Sequence, residues 1–415
     1  MLNIDKVRIG LWIAYLVFPS GIGLSYWGKN VDVNMVIFIL ITLLSLNSLV
    51  NLRVKREDGI AALFFLSALL FSLSWLSSFQ YLYYIYMIIF YFSSYFIARL
   101  FFSERSSIIY FVNNIALAYL LVGIIGFLNY YFDFLNFNLL RPEAEAYAHE
   151  YTRGEITANL ELIGYKGFFA HTHWFAMDRF VWMSLSACFL WYANRAKEHS
   201  INRHVLMASI AFGSIEIIWS QVRILSLISI IVFLWSLYAY KSKYIPFLAV
   251  FLLIITPLFN DHAYYFFSNI YSLAGIFFED INGFSYVLET DKRYLALMAI
   301  LENYEQIILA PLGPLLWNFS PHLLGTESEY FDDLHPLLKM VLEYGLASLV
   351  FFLLLIVSAL RSSRSIYYLP LFFWLLLILS ASISLGSPRF YFYMFFGIGA
   401  LVGARRIFSN KSVGP

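Results

Sequence analysis

Apolar residues recur along this chain in runs of about twenty, separated by short polar breaks. That is the length of an α-helix able to cross about 30 Å of hydrocarbon. The pattern predicts twelve spanning helices, near residues 8–27, 34–52, 59–78, 80–101, 107–132, 173–193, 204–220, 222–240, 244–261, 337–360, 366–385 and 389–408. The run from Ile9 to Trp27 is long enough to stay as a span and lacks a small-residue cleavage site, so no signal peptide is expected. Only Ser220-Gln221 separates the seventh span from the eighth. No internal repeat of 20 to 50 residues is visible.

Two connections are too long to be simple turns. The first, Asp133 to Thr172, carries Arg141, Glu143, Glu145, Glu150, Arg153 and Glu155, and its middle, 143–162, reads as a surface helix. The second, 257–336, holds an apolar stretch from Tyr264 to Phe278 at helical spacing, fit to lie in an interface. After it, Thr290 or Asp291 can cap a helix to about Leu309, with Leu295, Met298, Leu301 and Ile308 as its apolar stripe. Pro311-Leu312-Gly313-Pro314 ends that helix. The expected organisation is one integral membrane domain over 1–415, with two long loops bearing amphipathic helices.

Composition agrees and narrows the class. Of the 415 residues, 61% are hydrophobic and 13% charged, against about 25% charged in soluble domains. A soluble enzyme is thereby excluded. The single cysteine, Cys188, falls inside a predicted span and reads as a small apolar filler, so no disulfide framework exists. The connections alternate in charge. One set holds 17 of the 27 basic residues but five of the 26 acidic ones. The positive-inside rule then makes both termini cytoplasmic and turns both long loops outward.

Three residues at outer helix ends are candidates for chemistry. Arg223 opens the eighth span; it either serves function or forms a structural pair with Glu216 near the outer end of the seventh. Arg293 lies in the first turn of the amphipathic helix, where free backbone N–H groups and a guanidinium suit phosphate oxygens; the plainer reading pairs it with Glu289 or Asp291. His335 precedes Pro336, a residue suited to the first helical position, and follows Asp332 and Asp333. Such carboxylates orient an imidazole as a general base requires, although an interfacial His is more often structural. Lys339 and Glu343, one turn apart inside the tenth span, read as a structural ion pair. His171, His173, Asp178 and Arg179 cluster at the outer end of the sixth span, and Arg389 stands at that of the last. Histidines at i and i+2 do not share a helical face, so no metal site is expected. No Walker loop or GxGxxG is present, and nothing indicates nucleic acid.

The order of these features resembles the O-antigen polymerase (Wzy-type) and O-antigen ligase superfamily of bacterial membrane glycosyltransferases. The residues concerned are Ser-Gln-Val-Arg at 220–223, Asp-Lys-Arg at 291–293 with Tyr-Leu-Ala-Leu-Met-Ala-Ile-Leu after it, Pro311 and Gly313, Leu334-His335, and Leu-Glu-Tyr-Gly-Leu at 342–346. The likeness covers roughly 165 to 360. It departs at Pro336 and at His173, where the family commonly has Asn. The resemblance implies an all-α, GT-C-like membrane enzyme of about twelve spans, using an undecaprenyl diphosphate-linked glycan as donor with no metal or other cofactor. Arg223 and Arg293 would hold the donor diphosphate and His335 would activate the acceptor hydroxyl. Arg389, Arg141, Arg153, Glu216, His173 and Arg179 are further residues for binding or support. A repeat-unit polymerase is the expected activity, with a ligase acting on lipid A-core as the alternative and a lipid-linked oligosaccharide flippase as the second. Partners would be the lipid bilayer and the chain-length regulator and flippase of the same pathway.

Overall fold

The computed structural model describes residues 4–17, 23–26, 29–50, 52–72, 79–132, 172–195, 197–220, 223–240, 292–309, 322–323, 325–327, 336–362 and 388–409. These are helical apart from two short antiparallel strand pairs and the turns. The chain divides into two compact units of interleaved segments, 1–46 with 106–275 and 47–105 with 276–415. The predicted ninth and eleventh spans and the helices expected over 143–162 and 264–278 lie outside the described residues.

In the first unit, α1 (Ile4–Val17) precedes strands β1 (Gly23–Tyr26) and β2 (Lys29–Asp32), then α2 (Val33–Val50), most of which belongs here. β1 and β2 pair antiparallel, Gly23 opposite Asp32 and Tyr26 opposite Lys29. This corrects the first expected span: residues 23–26 form a strand instead of continuing a helix to Trp27. Pro19 costs a helix about 3 kcal/mol, and Gly21 and Gly23 weaken it further. Trp12 stacks on Tyr15 at 5.5 Å and meets Phe38 of α2 at 6.2 Å.

The unit continues with α5 (Arg105–Phe132), then α6 (Thr172–Arg195), α7 (Arg203–Trp219) and α8 (Arg223–Tyr240), the last three of which pack on one another. Asn202 caps α7, its side chain accepting from the Val205 N–H at 3.2 Å. The Asn202 N–H in turn donates to Asn113 Oδ1 at 2.9 Å, which ties the α6–α7 turn to α5.

The second unit is built on α3 (Arg56–Ser72), α4 (Phe79–Phe101), α11 (Pro336–Ser362) and α12 (Pro388–Ser409). Between them in sequence come α9 (Lys292–Glu302), α10 (Tyr304–Leu309) and a hairpin of β3 (His322–Leu323) with β4 (Thr326–Glu327). α12 lies along α4 with Gly399 against the Tyr95 carbonyl and Gly403 against that of Arg99, a small-residue seam that brings the two backbones together. Aromatic rings fill the rest: Phe395 meets Phe64 at 5.1 Å and Phe65 at 5.0 Å, and Phe392 meets Phe90 at 5.2 Å.

Polar side chains pin this packing at its basic end. Asp58, in the first turn of α3, pairs with Arg99 of α4 and accepts from Tyr95 Oη at 2.9 Å and the Lys55 N–H at 2.6 Å. The Arg99 guanidinium also donates to the Arg53 carbonyl, and Lys55 Nζ donates to the Val402 carbonyl at 2.6 Å. Asp58, Tyr95 and Arg99 are all buried. Arg99 is therefore part of an interior clamp.

Among the described residues, two helices, over Arg105–Asn129 and Leu337–Arg361, are long and apolar enough to cross a membrane. Their outward faces support that reading. On α11, Leu346, Val350, Leu353, Leu354 and Val357 are exposed, while Ser348, Phe352, Leu355 and Ala359 are buried. On α5, Leu117, Leu121, Ile124, Ile125 and Leu128 are exposed. Exposed leucine stripes opposite a packed face suit hydrocarbon and not water.

The helix expected from Thr290 or Asp291 to Leu309 is interrupted at Asn303, whose side chain donates to the Ala299 carbonyl at 2.8 Å. Its buried face also differs from the expected stripe. Ala296, Ala299, Ile300 and Ile307 are buried, whereas Leu301 is exposed and Leu295 and Met298 are half-buried. Small residues permit close approach, so the alanine row turns inward although the longer side chains carry more apolar surface.

Candidate functional site

The expected site residues are distributed over helix starts in both units. Arg223 is the first residue of α8, Arg293 the second of α9 and Arg389 the second of α12. His173 is the second residue of α6. His335, Arg141 and Arg153 lie outside the described residues; α11 begins at Pro336, the residue after His335. Each of these helix starts carries N–H groups without intrahelical acceptors, the partial positive charge that suits an anion.

In the first unit the structure assembles a charged cluster from Arg179 of α6 and Glu216 of α7. Both are buried, at 5% and 1% exposure. Arg179 Nε lies 3.0 Å from Glu216 Oε2, and its terminal nitrogen donates to Oε1 at 3.2 Å. The other terminal nitrogen donates to the Tyr119 carbonyl of α5 at 2.9 Å. The rings of Tyr119 and Phe175 lie 5.0 and 5.4 Å from the guanidinium carbon. Tyr119 Oη lies within hydrogen-bond reach of two acceptors, Asp178 Oδ2 at 2.7 Å and the Leu16 carbonyl at 2.9 Å. Gly123 of α5 leaves the space that Glu216 and Phe212 occupy.

Arg223 was one expected partner for Glu216, as the alternative to a functional role; the structure sets Arg179 against both of its carboxylate oxygens, and the Arg223 side chain lies outside what is described. α6 and α7 form a hairpin in which Arg179 and Glu216 lie about equally far from the turn, so antiparallel packing brings them level. That symmetry was available in the sequence. Just beyond, Phe127 stacks on Trp219 at 4.8 Å. Ser226 Oγ donates to the Ile217 carbonyl at 3.2 Å, fastening the first turn of α8, which Arg223 opens, to the last turn of α7.

In the second unit Lys339 and Glu343 of α11 are buried one turn apart, at 0% and 2% exposure. Tyr391 of α12 lies near enough to Glu343 to interact with it electrostatically, and its ring meets Tyr344 at 5.8 Å and Tyr91 at 5.4 Å. The tyrosines were not anticipated; in a chain with 31 of them, no spacing singles these out. α10 packs against α11, so the helix pair that begins beside Arg293 is joined through Asn303 to the helix that begins after His335.

Directly after Glu343 and Tyr344, α11 is broken at Gly345, with φ 84° and ψ 165°. Only glycine occupies this region readily. A break at this point interrupts the backbone hydrogen bonding that a span otherwise completes internally. Gly345→Ala is expected to cost about 1–3 kcal/mol. The check is the temperature at which the detergent-solubilised protein leaves its monodisperse gel-filtration peak, with Ala347→Gly in the same helix as the control.

Among the described residues, no group of three or more His, Cys, Asp or Glu side chains could hold a metal ion. The site materials are guanidinium, ammonium, carboxylate and phenol, which bind and orient anions and hydroxyls by charge and hydrogen bonding. No protein-family model, curated protein or solved structure matches the chain.

Proposed function

We propose that this chain is a metal-independent membrane glycosyltransferase that polymerises lipid-linked repeat units at the outer face of a bacterial inner membrane. The proposal includes about twelve spans, a GT-C-like arrangement and cytoplasmic termini. The observation that carries it is the placement of Arg223 and Arg293 within the first two residues of their helices, with His335 immediately before a third helix. Arginine at a helix start, with its free N–H groups, suits a diphosphate, and a histidine suits the role of base toward a hydroxyl nucleophile.

In the proposed reaction, a glycan on undecaprenyl diphosphate is the donor and the non-reducing-end hydroxyl of another lipid-linked repeat is the acceptor. His335 takes the hydroxyl proton as the oxygen attacks the anomeric carbon. The bond from that carbon to the diphosphate oxygen breaks with inversion, and undecaprenyl diphosphate leaves with the bonding electrons. Arg223 and Arg293 stabilise the negative charge that develops on it. The polymer grows from its reducing end. Arg179 and Glu216, engaged with each other, act as positioning residues for the α7–α8 turn, and Arg389, Arg141, Arg153 and His173 remain candidates for glycan contacts.

A ligase transferring finished polymer to lipid A-core would use the same groups. A flippase is the second reading, and a specific observation favours it: Lys339 and Glu343 are fully buried beside a broken helix, as ionisable groups on transport paths are. One experiment separates the three. A bacterial strain lacking the chain is complemented with wild type or with His335→Ala, Arg223→Ala or Arg293→Ala, membrane levels are matched, and surface glycan is displayed on a gel. Wild type is expected to restore a ladder of lengths and each variant to leave a single repeat. Long undecaprenyl-linked polymer accumulating in the deletion would make the chain a ligase. Lipid-linked repeats retained at the cytoplasmic face would make it a flippase.

A further inference from the structure

We propose that a groove at the basic end of the second unit seats one anionic phospholipid from the membrane leaflet that this end faces. This inference is independent of glycosyl transfer. The groove has a volume of about 620 Å³ and is lined by Lys55, Arg56, Glu57, Ile60, Leu354, Val357, Ser358 and Arg361. Its polar and apolar parts are segregated. Arg56 is the first residue of α3 and Arg361 lies in the last turn of α11, so the antiparallel pair places both guanidiniums at one rim. Ile60, Leu354 and Val357 lie one or two turns deeper, and Leu354 and Val357 belong to the exposed apolar stripe of α11.

Charge decides the ligand. Three cations face one carboxylate, and that carboxylate accepts from Ser358 Oγ at 3.3 Å. Arg56 and Arg361 are exposed, and among the described residues no carboxylate pairs with either. A headgroup phosphate between two guanidiniums, with acyl chains against Ile60, Leu354 and Val357, satisfies both parts at once. A free inorganic anion would satisfy only the rim and leave the apolar wall without a partner.

The test uses the full-length chain in detergent, with lipid retention read by native mass spectrometry during titration with phosphatidylglycerol or phosphatidylcholine. A basic side chain near an anionic membrane surface contributes on the order of 1 kcal/mol, about five-fold in affinity. The double variant Arg56→Gln/Arg361→Gln is therefore expected to bind its tightest phosphatidylglycerol about 25-fold more weakly, with phosphatidylcholine unaffected. Val357→Trp, which fills the groove and leaves charge unchanged, is expected to give a similar loss; this variant carries the test if the double variant does not fold. Equal phosphatidylglycerol affinity in wild type and Val357→Trp would overturn the proposal. So would displacement by excess inorganic phosphate, which would mark an anion site that does not use the apolar wall.

Discussion

Arg179→Met is expected to destabilise the chain by about 3–5 kcal/mol, the cost of removing one partner from a buried ion pair. The Glu216 carboxylate, 1% exposed, loses the guanidinium that touches both of its oxygens, and the Tyr119 carbonyl loses a donor. Glu216→Gln keeps volume and removes charge, and is expected to cost nearly as much because the guanidinium then stays buried against Tyr119 and Phe175. Replacing both, as Arg179→Met/Glu216→Leu, should recover most of the loss, since an apolar pair needs no compensating charge. The measurement is the thermal midpoint of the detergent-solubilised protein across the four-variant cycle. Additive losses would show that the two side chains act separately, contrary to the contact seen between them. If the pair also positions the α7–α8 turn, the double variant should recover stability while glycan assembly stays impaired, a split that a purely structural pair would not produce.

Gly399→Val is expected to cost about 3 kcal/mol or more, at the upper end of what overpacking produces. A Cβ at this position runs into the Tyr95 carbonyl oxygen and lies 3.1 Å from the Tyr95 Cα, and these are backbone atoms that cannot rotate aside. α12 would have to move off α4, and the aromatic contacts of Phe392 and Phe395 would open with it. Gly403→Ala meets the same obstacle at the Arg99 carbonyl, with Phe102 Cβ at 3.1 Å. Because Arg99 also holds Asp58, displacement there loosens the start of α3 as well. Combining Gly399→Ala with Gly403→Ala should cost less than the sum, since one separation of the helices relieves both clashes. Thermal midpoints of the singles and the double decide it; full additivity would mean that each glycine is accommodated locally. Gly10, which has open space around it, is the control, and Gly10→Ala should change little beyond helix propensity.

Which parts of this architecture could be read from sequence follows from what each signal measures. Run length marked the helices well: α2, α3, α4, α5, α6, α7, α8, α11 and α12 all begin within a few residues of an expected span, because hydropathy measures what lipid requires. It failed at α1, where an apolar run contained Pro19, Gly21 and Gly23 and backbone chemistry overrode composition. In α9 the size of the side chains pointed outward and the small alanines inward, a choice that depends on the neighbour and not on the helix. In α11 large apolar residues occupy the exposed face as well as the packed one, so periodicity could not separate the exposed leucines from those packed inside.

The site was legible in a different measure. Charged residues inside apolar runs were correctly marked as requiring an explanation: Arg179, Glu216, Lys339 and Glu343 are all buried. Their partners were less visible. Arg179 and Glu216 required pairing two helices about a turn, and Tyr391 required knowing that α12 returns beside α11. The positive φ of Gly345 had no local signature beyond glycine itself, within the Leu-Glu-Tyr-Gly-Leu segment that the family resemblance had picked out on other grounds.

α11 amounts to two rods joined at a break. The rod after Gly345 is bolted to α3 twice, by the Ser67–Ser348 hydroxyl contact at 2.8 Å and by Ser358 on Glu57 at 3.3 Å. The rod before it carries Lys339 and Glu343 and starts at the residue after His335. About ten residues of helix make a lever of about 15 Å, so a pivot of about 10° at the glycine would carry its tip about 2.6 Å. Under the proposed function, that is the difference between His335 within reach of an acceptor hydroxyl and His335 a water molecule away.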